Sequence, residues 1–178
     1  PRDCRGLVLA SASERVFVAG ADLKTISEAS DDQLHRYLEY GSRVFCMLGT
    51  LHCPTVAAIN GAALGGGLEL PMHCDAMVAA PPAPRDGNPG KPYPVGLPEA
   101  GLGLCPGWGG TNLLPAWESD PSAAIQRTIL GKPMLYDEAA ASGLFTAIAP
   151  SQAELLPTAK RWLVQAAKDG YPKHKGEV

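Results

Sequence analysis

Short apolar runs alternate along the chain with segments whose apolar positions recur at helical spacing. Four runs are apolar almost throughout and are bounded by polar residues, Gly or Pro, a pattern typical of strands buried on both faces of a sheet. They cover residues 5–10, 55–59, 76–80 and 144–148. Because helical segments separate these strands, the pattern predicts an α/β fold with a largely parallel sheet.

The helical segments carry start and stop signals of their own. Ser30 and Gln33 form a capping box at the start of an amphipathic helix, which Pro54 ends. Shorter helices are predicted over residues 65–72, from about residue 106, over 121–130 and over 136–142, the last two ending at Gly131 and Gly143. Pro71 is expected to shorten or bend the first of these shorter helices.

The final helix has two candidate starting points. Its apolar face includes Leu155 and Trp162. Ser151 and Glu154 have the spacing of a capping box, which would start the helix at residue 152. Pro157 conflicts with an interior helical position, so a start at Pro157 is equally compatible with the sequence.

The segments between these elements are rich in turn-forming residues. Residues 11–21 are predicted to form a loop, and Asn60 begins a turn. Residues 81–94 have Pro or Gly at eight of fourteen positions and are expected to form an exposed loop. Residues 95–99 and 101–104 contain too much Gly for ordinary strands.

Length and composition restrict the classes of function. The 178 residues fit one domain with a real core, and 46% hydrophobic and 19% charged residues are ordinary for a soluble globular protein. The net charge of −3 gives no indication of a nucleic-acid partner or an anionic membrane surface, and no apolar run is long enough to span a bilayer. A cytoplasmic location is expected, although a start at Pro1 leaves an organelle transit peptide open.

The cysteines predict reduced thiols. There are five, without a C-x-x-C pair, and an odd number does not indicate a disulfide framework. We therefore expect buried, reduced cysteines. His52-Cys53 and His73-Cys74 lack the clustered spacing of structural zinc sites, so no metal is expected.

A run of three glycines, Gly65 to Gly67, opens a predicted helix and marks the most informative part of the chain. Such a run exposes backbone N–H donors at the positive end of the helix dipole, where an oxyanion would be stabilised. Glu69 lies one helical turn further on, inside an apolar segment, and Glu99 follows Leu97-Pro98. Burying a carboxylate is unfavourable unless it is hydrogen-bonded, so Glu69 is a candidate for catalysis.

Each of these features also has a purely structural interpretation. The Gly run could serve close helix packing alone, Glu99 could be a surface acid, and Asp22 could be a helix cap. The Gly-rich segment 101–110 has Pro106 where a dinucleotide fingerprint needs Gly, and the Gly run has no following Lys of a P-loop. Both nucleotide-binding interpretations therefore fail.

Three motifs together resemble the enoyl-CoA hydratase/isomerase (crotonase) superfamily. They are residues 17–24 (FVAGADLK), 59–70 (INGAALGGGLEL) and 97–111 (LPEAGLGLCPGWGGT), and the likeness runs from about residue 5 to residue 168. The resemblance implies an α/β fold of the ClpP/crotonase type, a spiral of ββα units. It also implies a crotonase-like domain over residues 1–170, lacking the family's N-terminal strands, and a polar tail over 171–178.

The resemblance also assigns roles to residues. Ala21 and Gly66 match the two backbone donors of the family's oxyanion hole, and Gly107 matches a backbone donor to the catalytic water. Glu69 and Glu99 match the two glutamates that share this water in the hydratases. The residues expected to border coenzyme A are Ala19, Ala21, Asp22, Leu23, Lys24 and Gly66.

The function implied is that of an enoyl-CoA hydratase of the β-oxidation type, which adds water syn to a trans-2-enoyl-CoA and gives a 3-hydroxyacyl-CoA. Coenzyme A would be part of the substrate, with no further cofactor and no metal. Assembly as a homotrimer or a hexamer would be usual for the family. Three alternatives stay open: a Δ3,Δ2-enoyl-CoA isomerase using Glu99 alone, the hydratase part of a bifunctional enzyme, and a non-catalytic binding or oligomerisation module.

The sequence also departs from the family pattern. The N-terminal strand pair with its CoA contacts and part of the C-terminal helices are expected to be missing, and the 81–94 loop is longer than usual. Trp108 stands where a small residue is frequent, and its bulk is expected to shorten the acyl pocket.

Overall fold

Two four-stranded sheets form the framework of the part of the chain that the computed structural model describes, residues 4–84 and 87–171. In the first sheet all neighbouring strands are parallel. Its strands, in spatial order, are β1 (Leu7–Ala10), β3 (Thr55–Ile59), β5 (Ala76–Ala79) and β8 (Ala147–Ile148).

The second sheet is mixed. Its strands, in spatial order, are β2 (Val16–Val18), β4 (Ala62–Leu64), β6 (Pro94–Gly96) and β7 (Met134–Leu135). The first three are parallel to one another, and β7 pairs antiparallel with β6.

Helices follow the strand pairs. They are α1 (Leu23–Glu28), α2 (Asp31–Thr50), α3 (Gly66–Met72), α4 (Gly110–Trp117), α5 (Pro121–Leu130), α6 (Tyr136–Ala141) and α7 (Gln152–Asp169), with a 3₁₀ turn at Glu99–Leu102. The pairs β1–β2, β3–β4 and β5–β6 each place one strand in each sheet before the chain enters helix or 3₁₀ structure. This repetition is the expected spiral of ββα units, and the predicted α/β fold of the crotonase type is confirmed.

The apolar runs are explained by burial on both faces of the first sheet. Every residue of β3 is buried, and alternate side chains enter two separate clusters. Ala57 and Ile59 pack in the larger cluster, while Val56 and Ala58 pack in a cluster that α7 covers. The central strand therefore has no solvent-exposed face, and its sequence has no polar alternation.

Capping residues fix the starts of the two long helices. Ser30 and Gln33 form the predicted capping box of α2, with Ser30 N–H donating to Gln33 Oε1 at 2.9 Å. Ser151 caps α7 by accepting from the Glu154 N–H, so the final helix starts at residue 152. Pro157 lies inside the second turn of α7, and the ambiguity left by the sequence is resolved in favour of Ser151.

Several sequence predictions about the strands are wrong. Residues 11–21 are not all loop, because they contain β2, and residues 95–99 begin inside β6. Gly96 does not prevent this strand; it permits it, because a Cβ there would lie 2.6 Å from Pro133 Cα next to β7. The predicted strand over 144–148 is regular only at β8, and β4 and β7 were not predicted.

The Pro- and Gly-rich segment 81–94 is exposed or half-buried over most of the residues described. Its end, however, belongs to the core: Tyr93 is buried, its hydroxyl donates to Ala80 O at 2.7 Å, and Pro94 begins β6. No disulfide joins the described cysteines. The prediction that they are buried holds for Cys53 and Cys74, whereas Cys4 and Cys46 are half-buried and Cys105 is exposed. The predicted polar tail, residues 171–178, lies outside the described residues except for Tyr171.

Candidate active site

A cavity of about 570 Å³ lies at the N-terminal end of α3. Its walls come from the segment after β2, the start of α3, the 3₁₀ turn and the loop that leads to α4. Seven of the residues proposed from the sequence line this one cavity: Ala19, Ala21, Leu23, Gly66, Glu69, Glu99 and Gly107. The volume is in the range of ordinary small-molecule sites.

The backbone at the start of α3 is shaped by its first two glycines. Gly65 has a φ of +56°, which glycine adopts without strain, and its N–H donates to Gly96 O at 2.9 Å. The preceding loop comes close to the helix start, because a Cβ on Gly20 would lie 3.9 Å from Gly66 N. Within the described residues, no backbone carbonyl accepts from the N–H of Ala21 or of Gly66. Both donors therefore remain available on the wall of one cavity.

Glu69 is 1% exposed and is held by backbone donors. Its Oε1 accepts from the N–H of Trp108 and the N–H of Gly110, each at 2.8 Å. Burial raises the pKa of Glu69, and the N–H groups of Gly110, Trp108 and Gly107 oppose this rise. The result is a buried carboxyl whose pKa stays above its usual value although it is well hydrogen-bonded.

Glu99 also lies at the start of α3. A Cβ on Gly65 would lie 2.7 Å from Glu99 Oε1, so the carboxyl packs directly against the Gly65 backbone. Glu99 Oε2 is buried without a hydrogen-bond partner among the described residues. Burial raises the pKa of Glu99, its own N–H lowers it, and the negative charge of Glu69 raises it further. The Glu69 carboxylate is therefore close enough to influence the proton of Glu99.

Trp108 closes one side of the cavity. Its ring is 8% exposed and lies against Gly66 on one side and Gly41 of α2 on the other, where a Cβ on either glycine would collide with the indole. Its Nε1–H donates to Leu38 O at 3.1 Å, and its ring centroid lies 4.9 Å from that of Phe45. The indole is thereby fixed between α2 and the start of α3.

Two of the residues expected at the coenzyme A border lie outside this cavity. Asp22 caps α1 by accepting from Lys24 N, and it lines a neighbouring depression; the Thr25 hydroxyl holds the pKa of Asp22 below its usual value. The Lys24 ammonium is exposed and lies 3.9 Å from Glu28. The structural interpretation of Asp22 as a helix cap is therefore confirmed, and a ligand role for Asp22 or Lys24 stays a prediction.

The lining differs in charge from what a nucleotide phosphate would require. Among the described residues that line the cavity there is no lysine or arginine. The described residues also contain no cluster of three or more His, Cys, Asp or Glu side chains that could hold a metal ion. None of their helices is long and apolar enough to cross a membrane.

Sequence reasoning missed the contribution of His73 and of the Trp108 backbone. His73 was considered with Cys74 as a metal ligand and set aside, but its Nε2–H donates to Trp108 O at 2.8 Å. The one available signal was spacing, since residues 69 and 73 are four apart and share a helix face. The partner residue, 35 positions away, carries no local signal.

Comparison with known proteins is consistent with this fold. The family model for enoyl-CoA hydratase/isomerase matches residues 2–174. A crotonyl-CoA hydratase of Syntrophomonas wolfei is 36% identical over 155 residues, which cover 87% of this chain and 55% of that protein. The chain therefore belongs to the enoyl-CoA hydratase/isomerase family.

Two further proteins show how the similarity is distributed. A fatty acid oxidation complex subunit alpha of Shewanella frigidimarina is 37% identical over 167 residues, covering 93% of this chain and 22% of that subunit. The crystal structure of an enoyl-CoA hydratase from Bacillus anthracis superposes with a TM-score of 0.81 at 31% identity, covering 96% of this chain and 61% of that structure. The chain thus spans from about a fifth to about three fifths of the length of these relatives.

Proposed function

We propose that this protein is an enoyl-CoA hydratase, which adds water to a trans-2-enoyl-CoA and yields a 3-hydroxyacyl-CoA. The observation that carries this proposal is that Glu69 and Glu99 line one cavity at the start of α3, each with a raised pKa. Two carboxyls that interact tend to share a proton, and an acid and a base are what the reaction requires. The names of the crotonyl-CoA hydratase and enoyl-CoA hydratase relatives support the same reaction.

The proposed reaction balances with water as the one added reactant. The ionised carboxylate takes a proton from water, and the oxygen forms a bond to C3 of the conjugated thioester. The electron pair of the C2–C3 double bond moves toward the thioester carbonyl, whose oxygen becomes negative. The other carboxyl of the pair, which is protonated at the start, then gives its proton to C2, and the thioester carbonyl is restored. At the end the proton of the pair is on the carboxyl that took it from water.

We propose that the N–H groups of Ala21 and Gly66 stabilise the negative charge on the thioester oxygen by donating hydrogen bonds to it. Both are on the cavity wall, and both are free of backbone acceptors in the described part of the chain. Preorganised donors of this type are worth about 10²–10³-fold in rate each. Because the donors are backbone groups, the side chain at either position matters for space alone.

We further propose a short acyl group for the substrate. The indole of Trp108 is held between α2 and the start of α3, where its bulk would limit the length of the acyl group. Coenzyme A would enter as part of the substrate, and no other cofactor is needed for the steps above. Residues outside the cavity lining would have to supply the positive charge for the phosphates of coenzyme A.

The isomerase alternative has one observation in its favour. The buried, unpartnered Oε2 of Glu99 could carry a proton between C2 and C4 of a 3-enoyl-CoA without help from a water.

Two further alternatives stay open. The similarity to a fatty acid oxidation complex subunit is compatible with a hydratase part of a larger enzyme. The non-catalytic alternative predicts binding without turnover.

The experiment that separates these functions compares two substrates. The purified protein is mixed with crotonyl-CoA, and the loss of conjugated thioester absorbance is followed together with chromatographic detection of 3-hydroxybutyryl-CoA. A matched 3-enoyl-CoA tests double-bond migration. Hydration of crotonyl-CoA with formation of the hydroxy product is the expected result. Migration without hydration would replace the proposal by the isomerase, and binding without either reaction would replace it by the non-catalytic module.

A further inference from the structure

Both polar backbone groups of Trp108 form hydrogen bonds with side chains from α3 and from the residue that follows it. From α3, the Glu69 carboxylate accepts from the Trp108 N–H at 2.8 Å, and His73, immediately after the helix, donates from Nε2 to the Trp108 carbonyl, also at 2.8 Å. Glu69 and His73 are four residues apart, so their side chains lie on the same side of α3. The segment 107–110 is thereby fixed to α3 at two points one helical turn apart.

The protonation state of His73 follows from this geometry. A carbonyl oxygen accepts hydrogen bonds and cannot donate them, so the Nε2 of His73 carries the proton. The ring is buried, with Phe45 of α2 packed edge-on at a centroid distance of 6.0 Å. Burial lowers the pKa of His73, and the bond to the Trp108 carbonyl opposes this. The ring is therefore a neutral donor at physiological pH.

The segment that His73 holds is the one that orients Glu69. The N–H groups of Trp108 and Gly110 both point at Glu69 Oε1, and the N–H of Gly107 also acts on the carboxyl. If the Trp108 carbonyl lost its donor, the buried oxygen would be unsatisfied, which favours a rotation of that peptide toward another donor. That peptide joins Trp108 to Gly109 and lies between the two peptides whose N–H groups bond Glu69, so its rotation would disturb the N–H groups of Trp108 and Gly110.

We infer that His73 is a positioning residue for Glu69: it acts through the Trp108 backbone and does not touch the substrate. This inference rests on the proposed hydration by Glu69 and Glu99. Misplacement of a catalytic group by a fraction of an ångström to 1 Å lowers rates by up to about a hundredfold. Loss of N–H donors also leaves the effect of burial on Glu69 unopposed, so its pKa would rise further.

The test uses a matched pair of variants. His73→Gln keeps an N–H donor on a side chain of comparable reach, and His73→Met has the same length as Gln without a donor. His73→Phe serves as a second donor-free variant that keeps a ring against Phe45, in case the Met variant does not fold. His52→Phe is the control, because His52 is exposed and also precedes a cysteine.

For the donor-free variants we expect a fall in kcat of about tenfold to a hundredfold with KM changed less than about threefold. The acidic limb of the profile of kcat/KM against pH should move to higher pH. His73→Gln should retain kcat within about threefold, and His52→Phe should match the wild type. Equal losses in His73→Gln and His73→Met, or unchanged kcat in His73→Met and His73→Phe, would overturn the inference.

A second measurement separates this inference from the proposed function. The backbone amide proton of Trp108, bonded to a carboxylate, is followed by NMR in the wild type and in each variant. It should move upfield in the donor-free variants and stay in place in His73→Gln. If the wild type fails to hydrate crotonyl-CoA, the proposed function fails, while this resonance still decides whether His73 positions the segment. An unmoved resonance in the donor-free variants would refute the positioning role regardless of activity.

Discussion

Burial and hydrogen bonding act in opposite directions on the two central carboxyls. Glu69 is the more buried and has backbone donors on Oε1, whereas Glu99 has an unsatisfied Oε2 and the charge of Glu69 nearby. The pKa of each is raised, and burial is the largest cause for both. Because their hydrogen bonding differs, the two carboxyls would suit different proton-transfer roles in the proposed reaction.

The first residue-level prediction concerns stability and pH. Because the pKa of Glu99 is raised in the folded state, the folded protein binds more protons than the unfolded chain as pH rises from about 4.5, and its stability falls through that window. Glu99→Gln removes this titration. We expect its stability relative to the wild type to be higher at pH 8 than at pH 5, measured by urea unfolding at both values.

The control for this prediction is Glu39→Gln. The Arg43 side chain holds the pKa of Glu39 below its usual value, so Glu39 is ionised in the folded and the unfolded chain at both pH 5 and pH 8. Glu39→Gln should therefore differ from the wild type by the same amount at the two pH values. If the difference in unfolding free energy between Glu99→Gln and the wild type is the same at pH 5 and pH 8, the pKa of Glu99 is not raised by folding and the prediction is wrong.

A second residue-level prediction concerns the space around Glu69. A Cβ on Gly110 would lie 2.9 Å from both Glu69 Oε1 and Leu97 Cδ1, and both are held inside the core. Gly110→Ala should therefore destabilise the protein by about 1–3 kcal/mol and displace the carboxylate, lowering hydration as well. In Gly101→Ala the nearest atom would be 3.8 Å away, so thermal unfolding and activity should stay close to the wild type.

At the level of elements, the sequence predicted the parts that are determined locally. Buried strands such as β3 and β5 appear as continuous apolar runs, and the capping box at Ser30 identifies the start of α2. The strands of the second sheet have two or three residues each and could not be recognised from the sequence. Such short segments become strands only because they pair with one another.

In the candidate site, too, residues inside local motifs could be predicted, whereas contacts between distant residues could not. Gly66, Glu69 and Glu99 could be proposed because they stand inside recognisable motifs. The hydrogen bond from His73 to the Trp108 carbonyl could not be proposed, since it joins residues 35 positions apart in the sequence. Likewise, the fixed indole of Trp108 depends on two glycines in separate helices, Gly41 and Gly66, that leave room for its ring.

The element-level prediction tests where α7 begins. If Ser151 caps the helix, Ser151→Ala should lower the free energy of unfolding by about 1 kcal/mol. Ser122 in the first turn of α5 is exposed, and Ser122→Ala should change stability by less than about 0.5 kcal/mol. Equal, small effects of the two substitutions in urea unfolding would show that Ser151 does not act as the cap.

At the level of the whole molecule, α2 has more apolar surface exposed than a solvent-facing helix needs. Within the described residues α2 has no buried member, and Tyr40 and Met47 are 70% and 60% exposed. We propose that this surface contributes to self-association as a trimer or a hexamer, as the family resemblance implies. Sedimentation velocity should show an assembly that Tyr40→Asp combined with Met47→Asp weakens, whereas Lys160→Asp, on exposed α7 surface, leaves it intact. A monomer at micromolar concentration in the wild type would refute this proposal.

The central claim is that Glu69 and Glu99 act as a unit on one water. The most direct measurement is the rate of crotonyl-CoA hydration by the wild type, Glu69→Gln, Glu99→Gln and the double variant. Each single change should lower kcat by about a hundredfold or more with a much smaller change in KM, and the double variant should be far less impaired than the product of the two single losses. Hydration that survives Glu69→Gln, together with double-bond migration that is lost in Glu99→Gln, would contradict the account and identify an isomerase.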